Sequence, residues 1–528
     1  MVLLIIGVVL SVISFNARIS EAHDDSLYIE AAYRYVHEFP NYYYTANAPM
    51  YPMVLALLTV VFGTNLIVFK LFSMLFFVAG AVLYYKAVKG SVPDILKYFA
   101  FAFLCINHLV LYFSSQTFSE SFYMLVQATF FFYFIRFNFG ADPLTGNNLK
   151  DEYKRWLILG LLMMLLTLAK NILLFGIAAI FVYFIFYKEY RKAVISLVSF
   201  GIFKALYELI KSLVWGDSAI QYKSQMGILL NKDPYDASEG QEDLAGFIGR
   251  FTDNIGLYLG KRFFQILGLK DENTGEVSYL LAFLVLGLTF YGLYRAVKDR
   301  QRVIVFLVLF AGTIAFGTFF VLQARWDQPR FIMVHMASLL IGIFYGLYRL
   351  LEKDTFNQSL FVGLIIVLTT SLFVSSFKRG IKNIPIVKKN LQGDIYFGYT
   401  PDWQHYLQAS AWVKNNLPDS ALVACRKAPM SFVYSGRHFF PIYSVIAKDS
   451  LTNQSNPDSA LAYFKRNKVT HILLASLRVD PRRNTGQVIN TVHNILYPIA
   501  MKYPEKVISV RQFGDEVNEP SIIYALKY

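Results

Sequence analysis

Apolar runs of membrane-span length, punctuated by short basic segments, constrain this chain more than any motif. Eleven such runs can be read, near 1–15, 65–86, 95–113, 117–138, 155–170, 171–187, 192–214, 278–296, 302–322, 331–350 and 358–376. In hydrocarbon every backbone N–H and C=O must find its partner inside the segment, so a run of about 20 apolar residues enters a bilayer as a helix. Only 16% of the residues are charged, against about 25% in an average soluble domain. The predicted fold class is a polytopic α-helical membrane protein, and the lipid bilayer is its first partner. The formal charge of +14 does not point to nucleic acid, because the basic residues punctuate apolar runs and form no continuous basic face. No nucleic-acid partner is expected.

The first run lacks a basic leader and a small-residue cleavage pattern, so it does not read as a cleaved signal peptide. It is also shorter than the roughly 17–25 residues of an ordinary span. Either this helix is short or the true start lies upstream. The two cysteines, Cys105 and Cys425, predict neither a disulfide framework nor a zinc ligand set.

Lys and Arg set the orientation. Sixteen of them fall in the short loops and span ends of one side, among them Lys86, Arg136, Lys154, Arg191, Arg300 and Arg349. With the long segments 216–277 and 378–528 left out, since long loops escape this rule, the other side carries five: Arg18, Arg34, Lys170, Arg325 and Arg330. This imbalance predicts an inner-membrane protein with a cytoplasmic N-terminus and an extracytoplasmic C-terminus. It places Asp24, Glu120, Lys170, Arg325 and Arg330 on one outer face.

The predicted organisation is a transmembrane domain over 1–377, with outer loops 16–64 and 216–277. A linker over 378–394 and a soluble extracytoplasmic α/β domain over 395–528 follow. Within the long loop 216–277, a helix is expected near 240–263. Strands are expected at 421–425, 469–475, 505–513 and 521–527, and helices from Asp402 and from Pro457. This alternation reads as a small α/β fold. It contains no glycine-rich phosphate loop.

Asp24-Asp25-Ser26 opens a helix one loop after the first run. The bland reading is helix capping and complementation of the helix dipole. The two readings are compatible, because an acid that caps a helix can also take a proton from a substrate hydroxyl. Glu120 lies at the outer start of a span, after Ser114-Ser115-Gln116-Thr117-Phe118-Ser119. Two nearby carboxylates push their pKa values apart, which suits one of them to base work. Lys170 sits between two apolar arms, where snorkelling is the plain alternative. A charge near hydrocarbon calls for a partner, and a lipid phosphate is an apt one. Arg325-Trp326-Asp327-Gln328-Pro329-Arg330 is a guanidinium-rich outer loop, and arginine binds phosphate through a planar fork. A surface pair of Arg325 with Asp327 would leave Arg330 unexplained. Lys204 and Glu208, four residues apart, read as a structural pair, and Asn107 in mid-span as a satisfied polar contact. His23 beside two acids is weak grounds for a metal site.

Taken in order, these features resemble the GT-C glycosyltransferases. The similarity is to the branch holding protein O-mannosyltransferases and lipid A aminoarabinose transferases. It covers 1–190 and 323–350, and 395–528 is only loosely similar to the periplasmic domains of some members. The resemblance implies a catalytic base at Asp24, with Asp25 and Glu120 as accompanying acids. It implies substrate contacts from Lys170, Arg325 and Arg330, and from Pro49 and Tyr51 in the proline-bearing segment before the second run. One departure stands out: this chain has Asn47-Ala48-Pro49 where relatives often show Lys-Pro-Pro or His-Pro-Pro. The implied activity is inverting transfer of a sugar from a polyprenyl-phosphate carrier to a glycan, lipid or protein hydroxyl, with no cofactor and no metal ligands called for. The alternatives are a lipid-linked sugar flippase or a non-catalytic membrane scaffold.

Overall fold

The computed structural model describes residues 2–528 apart from 140–148, 220–224, 235–238, 271–274, 353, 450, 480–486 and 516–518. The side chains of 149–151, 225, 226 and 325 also lie outside the description. The chain forms two compact units. One comprises Met1–Asn16, His37–Leu57 and Ile67–Ile384, the other Ala17–Val36, Leu58–Leu66 and Pro385–Tyr528.

The first unit is helical. Among the described residues five helices are long and apolar enough to cross a membrane: Leu66–Val88, Tyr190–Ala219, Tyr279–Lys298, Arg302–Val321 and Thr355–Leu391. A sixth span results if Asp94–Ile106 and His108–Ser114, bent by 53°, are counted together. Val2–Ile13, Met50–Phe62, Asn171–Phe186 and Met336–Leu351 are shorter apolar helices. Length and composition therefore establish five or six spans of the eleven runs read from sequence. The bend has a local cause. Asn107 adopts an extended backbone, and its side-chain oxygen accepts from the amides of Leu109 and Val110, starting a new helix. Its amide nitrogen donates to the Ile266 carbonyl at 2.6 Å, so this mid-span polar residue is satisfied.

Lipid tails are as apolar as leucine, so helices in a bilayer are held by close packing rather than by expulsion of water. Glycine supplies that closeness. A Cβ on Gly292 would lie 2.0 Å from the Gly342 carbonyl oxygen, which locks Tyr279–Lys298 against Met336–Leu351. A Cβ on Gly317 would meet the Phe175 ring at 2.3 Å, which brings Arg302–Val321 against Leu174–Phe186. An aromatic core fixes Ser119–Phe139 in the same bundle. Phe134 stacks on Phe306 with ring centroids 4.2 Å apart, and Phe131 meets Phe310 edge-on at 4.9 Å.

The second unit is built on five strands: β1 (Val423–Cys425), β2 (Phe440–Pro441), β3 (His471–Ala475), β4 (Val507–Phe513) and β5 (Ser521–Leu526). Their order is β2-β1-β3-β5-β4. β1 runs parallel to both β2 and β3, and β5 is antiparallel to β3 and β4. One buried cluster lies around Ile472, Phe464 and Ile495, with helix Pro457–Arg466 closing it. Asn456 caps that helix, its oxygen accepting from the Ser459 amide at 3.0 Å. The segment read as a linker is helical through Leu391.

Candidate functional site

Glu120 is the second residue of helix Ser119–Phe139, where a negative charge complements the helix dipole. The turn before it, Ser114 to Thr117, is fully buried. Lys70, buried on the Leu66–Val88 helix, holds that turn by donating to the Ser115 carbonyl at 3.2 Å and to Gln116 Oε1 at 2.7 Å. Glu120 itself is 1% exposed, too buried to carry charge without partners. Lys170 Nζ lies 2.9 Å from its Oε1, and Arg330 Nη1 lies 3.7 Å from the same atom. Glu120 Oε2 is buried with no hydrogen-bond partner among the described residues.

Both cations sit at breaks between helices. Lys170 is extended; its amide donates to the Leu166 carbonyl at the end of helix Leu149–Ala169, and its carbonyl accepts from the Leu173 amide of the turn Asn171–Leu173, each at 3.1 Å. Its amine also lies 5.6 Å from the Tyr123 ring centre. Tyr123 in turn meets His335, its hydroxyl 3.3 Å from the ring nitrogens. Arg330 opens the short helix Arg330–Met333, over the rings of Phe118 and Phe331. The turn before it is held from the long loop. Asp327 has a left-handed φ of 29°, unfavourable for a residue with a Cβ. Arg262 grips it twice: Nε lies 2.5 Å from the carboxylate and Nη2 2.8 Å from its carbonyl. Arg262 ends a π-helical stretch, Gly256–Arg262, that follows helix Leu244–Ile255, a hydrogen-bond pattern frequent at functional sites. The predicted helix near 240–263 thus supports Arg330 from below its turn. The carboxylate of Asp327, read from sequence as a surface partner for Arg325, meets Arg262 and, at 3.5 Å, Lys261. The Arg325 side chain lies outside the described residues.

Pro49 is buried and its carbonyl starts helix Met50–Phe62, accepting from the Met53 amide at 3.2 Å. Tyr51 is fully buried, its hydroxyl 3.3 Å from Ser73 Oγ and its ring 5.8 Å from that of Phe122. Lys204 and Glu208 pair at 2.7 Å, joined by Lys211, as structure.

Asp24 and Asp25 belong to the second unit. Both lie in the first turn of helix Asp24–His37, and the turn separates them. Asp25 is fully buried, and its two oxygens accept from the amides of Ser20 and Ser26, each at 2.8 Å. Asp24 is partly exposed. His23 beside it is held at about 4, mainly by burial and then by Lys427, with Asp24 opposing. Burial and Arg426 bring Lys427 down to about 8, against the pull of Asp24, Asp25 and Glu21. Among the described residues no three His, Cys, Asp or Glu side chains converge as a metal donor set.

Sequence reasoning missed Lys70, Arg262 and Lys427. A signal existed only for Lys70, a lone charge inside an apolar span. Arg262 and Lys427 act on groups far away in sequence.

The fold is shared with two solved structures. The structure is similar to that of ArnT from Cupriavidus metallidurans in the apo state. The TM-score is 0.56 at 10% identity, over 99% of this chain and 97% of that one. It is also similar to the Archaeoglobus fulgidus oligosaccharyltransferase complex with Zn and sulfate. There the TM-score is 0.58 at 12% identity, over 98% of this chain and 72% of that one. No family model and no curated protein matches the sequence.

Proposed function

We propose that the protein is an inverting glycosyltransferase, moving a sugar from a polyprenyl-phosphate carrier to a hydroxyl of a glycan, lipid or protein at the outer membrane face. One observation carries this reading: a buried carboxylate, Glu120, faces two cations, Lys170 and Arg330, from separate helical breaks. Two cations gathered at one buried acid are the kind of groups that stabilise a departing phosphate. In this reading Glu120 orients the cations. Arg330 supplies the planar fork that suits phosphate oxygens, and Lys170 a point charge. The fold shared with two sugar-transferring enzymes supports the class of reaction.

The acceptor oxygen bonds to the anomeric carbon from the face opposite the phosphate, which inverts the configuration. The bond from that carbon to the phosphate oxygen breaks, and its electron pair leaves with the polyprenyl phosphate. The hydroxyl proton passes to Asp24. Asp24 suits this role better than Asp25, whose oxygens already accept two backbone amides. No step is routed through a metal ion. Lys and Arg placement supports a cytoplasmic N-terminus and an outward C-terminal sheet.

The test is sugar transfer by purified protein in detergent, where no compartments exist. Radiolabelled donor with membrane extract as acceptor should yield product with the parent, and Lys170→Ala and Arg330→Ala should each lose most of the turnover. A flippase yields no product under these conditions, and that result would sink the proposal.

A further inference from the structure

In open α/β sheets, ligands bind outside the carboxyl ends of the parallel strands. Here β1 lies between two parallel neighbours and ends at Cys425, so Arg426 and Lys427 stand at that position. What meets them within the second unit is the chain's own segment 18–33. Lys427 Nζ donates to the Glu21 carbonyl at 3.1 Å. The Tyr399 hydroxyl donates to the Ile19 carbonyl at 2.5 Å, and the Arg18 guanidinium lies 4.4 Å from the Tyr399 ring centre. Tyr443 meets His23 through hydroxyl and ring nitrogen at 3.3 Å. Further along, His438 pairs with Glu30 at 3.0 Å, and Tyr33 packs on Phe432 with centroids 5.0 Å apart.

These contacts grip backbone carbonyls of residues 19 and 21 and side chains of the helix that follows. The segment between them is closed from inside by Asp25, through the amides of Ser20 and Ser26. Asp24 is the next residue along that closed loop, and it is left partly exposed. A sheet that bound acceptor at this end would need the position the loop occupies.

We propose that the C-terminal sheet is the holder of the acidic outer loop, with Lys427 as the positioning residue that fixes residues 19–25 so that Asp24 is presented. The catalytic consequence rests on Asp24 acting as base; the holding itself does not. The Lys427 amine, pulled down by burial yet surrounded by Glu21, Asp24 and Asp25, is the kind of group whose loss leaves buried carbonyls and acids uncompensated.

The experiment uses the full chain in detergent, with Lys427→Met, Lys427→Arg and Tyr399→Phe. Amide hydrogen exchange is followed on peptides covering 17–30, with 469–475 as a reference within the sheet. Lys427→Met should raise exchange at 17–30 about tenfold or more, corresponding to about 1.4 kcal/mol of local opening, and leave 469–475 unchanged. Lys427→Arg should keep most of the protection. Tyr399→Phe, which removes one hydroxyl, should give a smaller rise and covers the case in which the Met variant does not fold. In transfer assays Lys427→Met should lower kcat and leave donor KM near the parent value, and it should add little on top of Asp24→Asn. Unchanged exchange at 17–30 in both Lys427→Met and Tyr399→Phe would overturn the holder. A clear exchange response in a parent that transfers no sugar would support the holder and remove the transferase reading instead.

Discussion

Glu120 is 1% exposed, so its charge must be answered by protein groups, and Lys170 and Arg330 are the two that answer it. Removing one partner of a buried pair costs about 3–5 kcal/mol, because the other charge stays buried and unpaired. Glu120→Gln should therefore lower the thermal midpoint in detergent sharply. Adding Lys170→Met should restore part of it; an unchanged midpoint in the single variant contradicts the pairing. Asp24 and Asp25 should separate in the same assays. Asp25→Ala removes two hydrogen bonds to a charged group, each contributing about 1.5–3 kcal/mol, and should act on stability. Asp24→Asn should reduce turnover by about 10²–10⁴-fold. In the sequence, acids and bases recur in order along the chain. The sequence did not show which of two adjacent acids is the staple. Both lie in one helical turn, and the distinction depends on where the Ser20 amide points. Nor could it show Lys427, whose partner is a carbonyl about four hundred residues away.

Among the elements, the turn 324–330 depends on Arg262, which holds Asp327 in a left-handed conformation. Arg262→Ala should raise hydrogen exchange across 322–333 and weaken donor binding, while Ser119–Phe139 keeps its protection. Exchange confined to 256–262 would show that the turn holds itself. Helix packing makes a second prediction. Gly292→Val places a side chain where the Gly342 carbonyl already lies, and overpacking of this kind costs about 1–3 kcal/mol, read as a lower thermal midpoint. Apolar runs marked Leu66–Val88, Tyr279–Lys298 and Arg302–Val321 closely, because a span is mostly composition. The same logic could not find the 53° break at Asn107, since an apolar run looks alike whether or not it bends. It also stopped near 376 where the helix continues to Leu391, because polarity rises there while the backbone keeps its hydrogen bonds. Four of the five strands were legible as apolar runs and the two-residue β2 was not; the strand order was also hidden, because β5 inserts between β3 and β4.

At the scale of the molecule, acid and base act on the second unit through groups that its burial displaces in one direction. His23 falls from the usual 6.5 to about 4, so the folded protein keeps it neutral while the unfolded chain takes a proton. Its favourable contribution is complete above pH 6.5 and is lost as the pH falls through 4. Lys427 falls from 10.5 to about 8, so stability gains between those values as the pH rises. Protection of residues 17–30 should therefore decline on acidification from pH 7 to about 4.5, and His23→Gln should flatten that decline. A parent and a variant with the same pH profile would remove His23 from this account. Whether this fold transfers sugar from a lipid phosphate with an acid-dependent step is decided by one measurement. Purified parent and Asp24→Asn are given a polyprenyl-phosphate sugar with membrane extract in detergent, and product is followed over time. The account predicts transfer by the parent, with an inverted anomeric bond, and almost none by the variant. Equal transfer by both, or none by a folded parent across several donors, would contradict it.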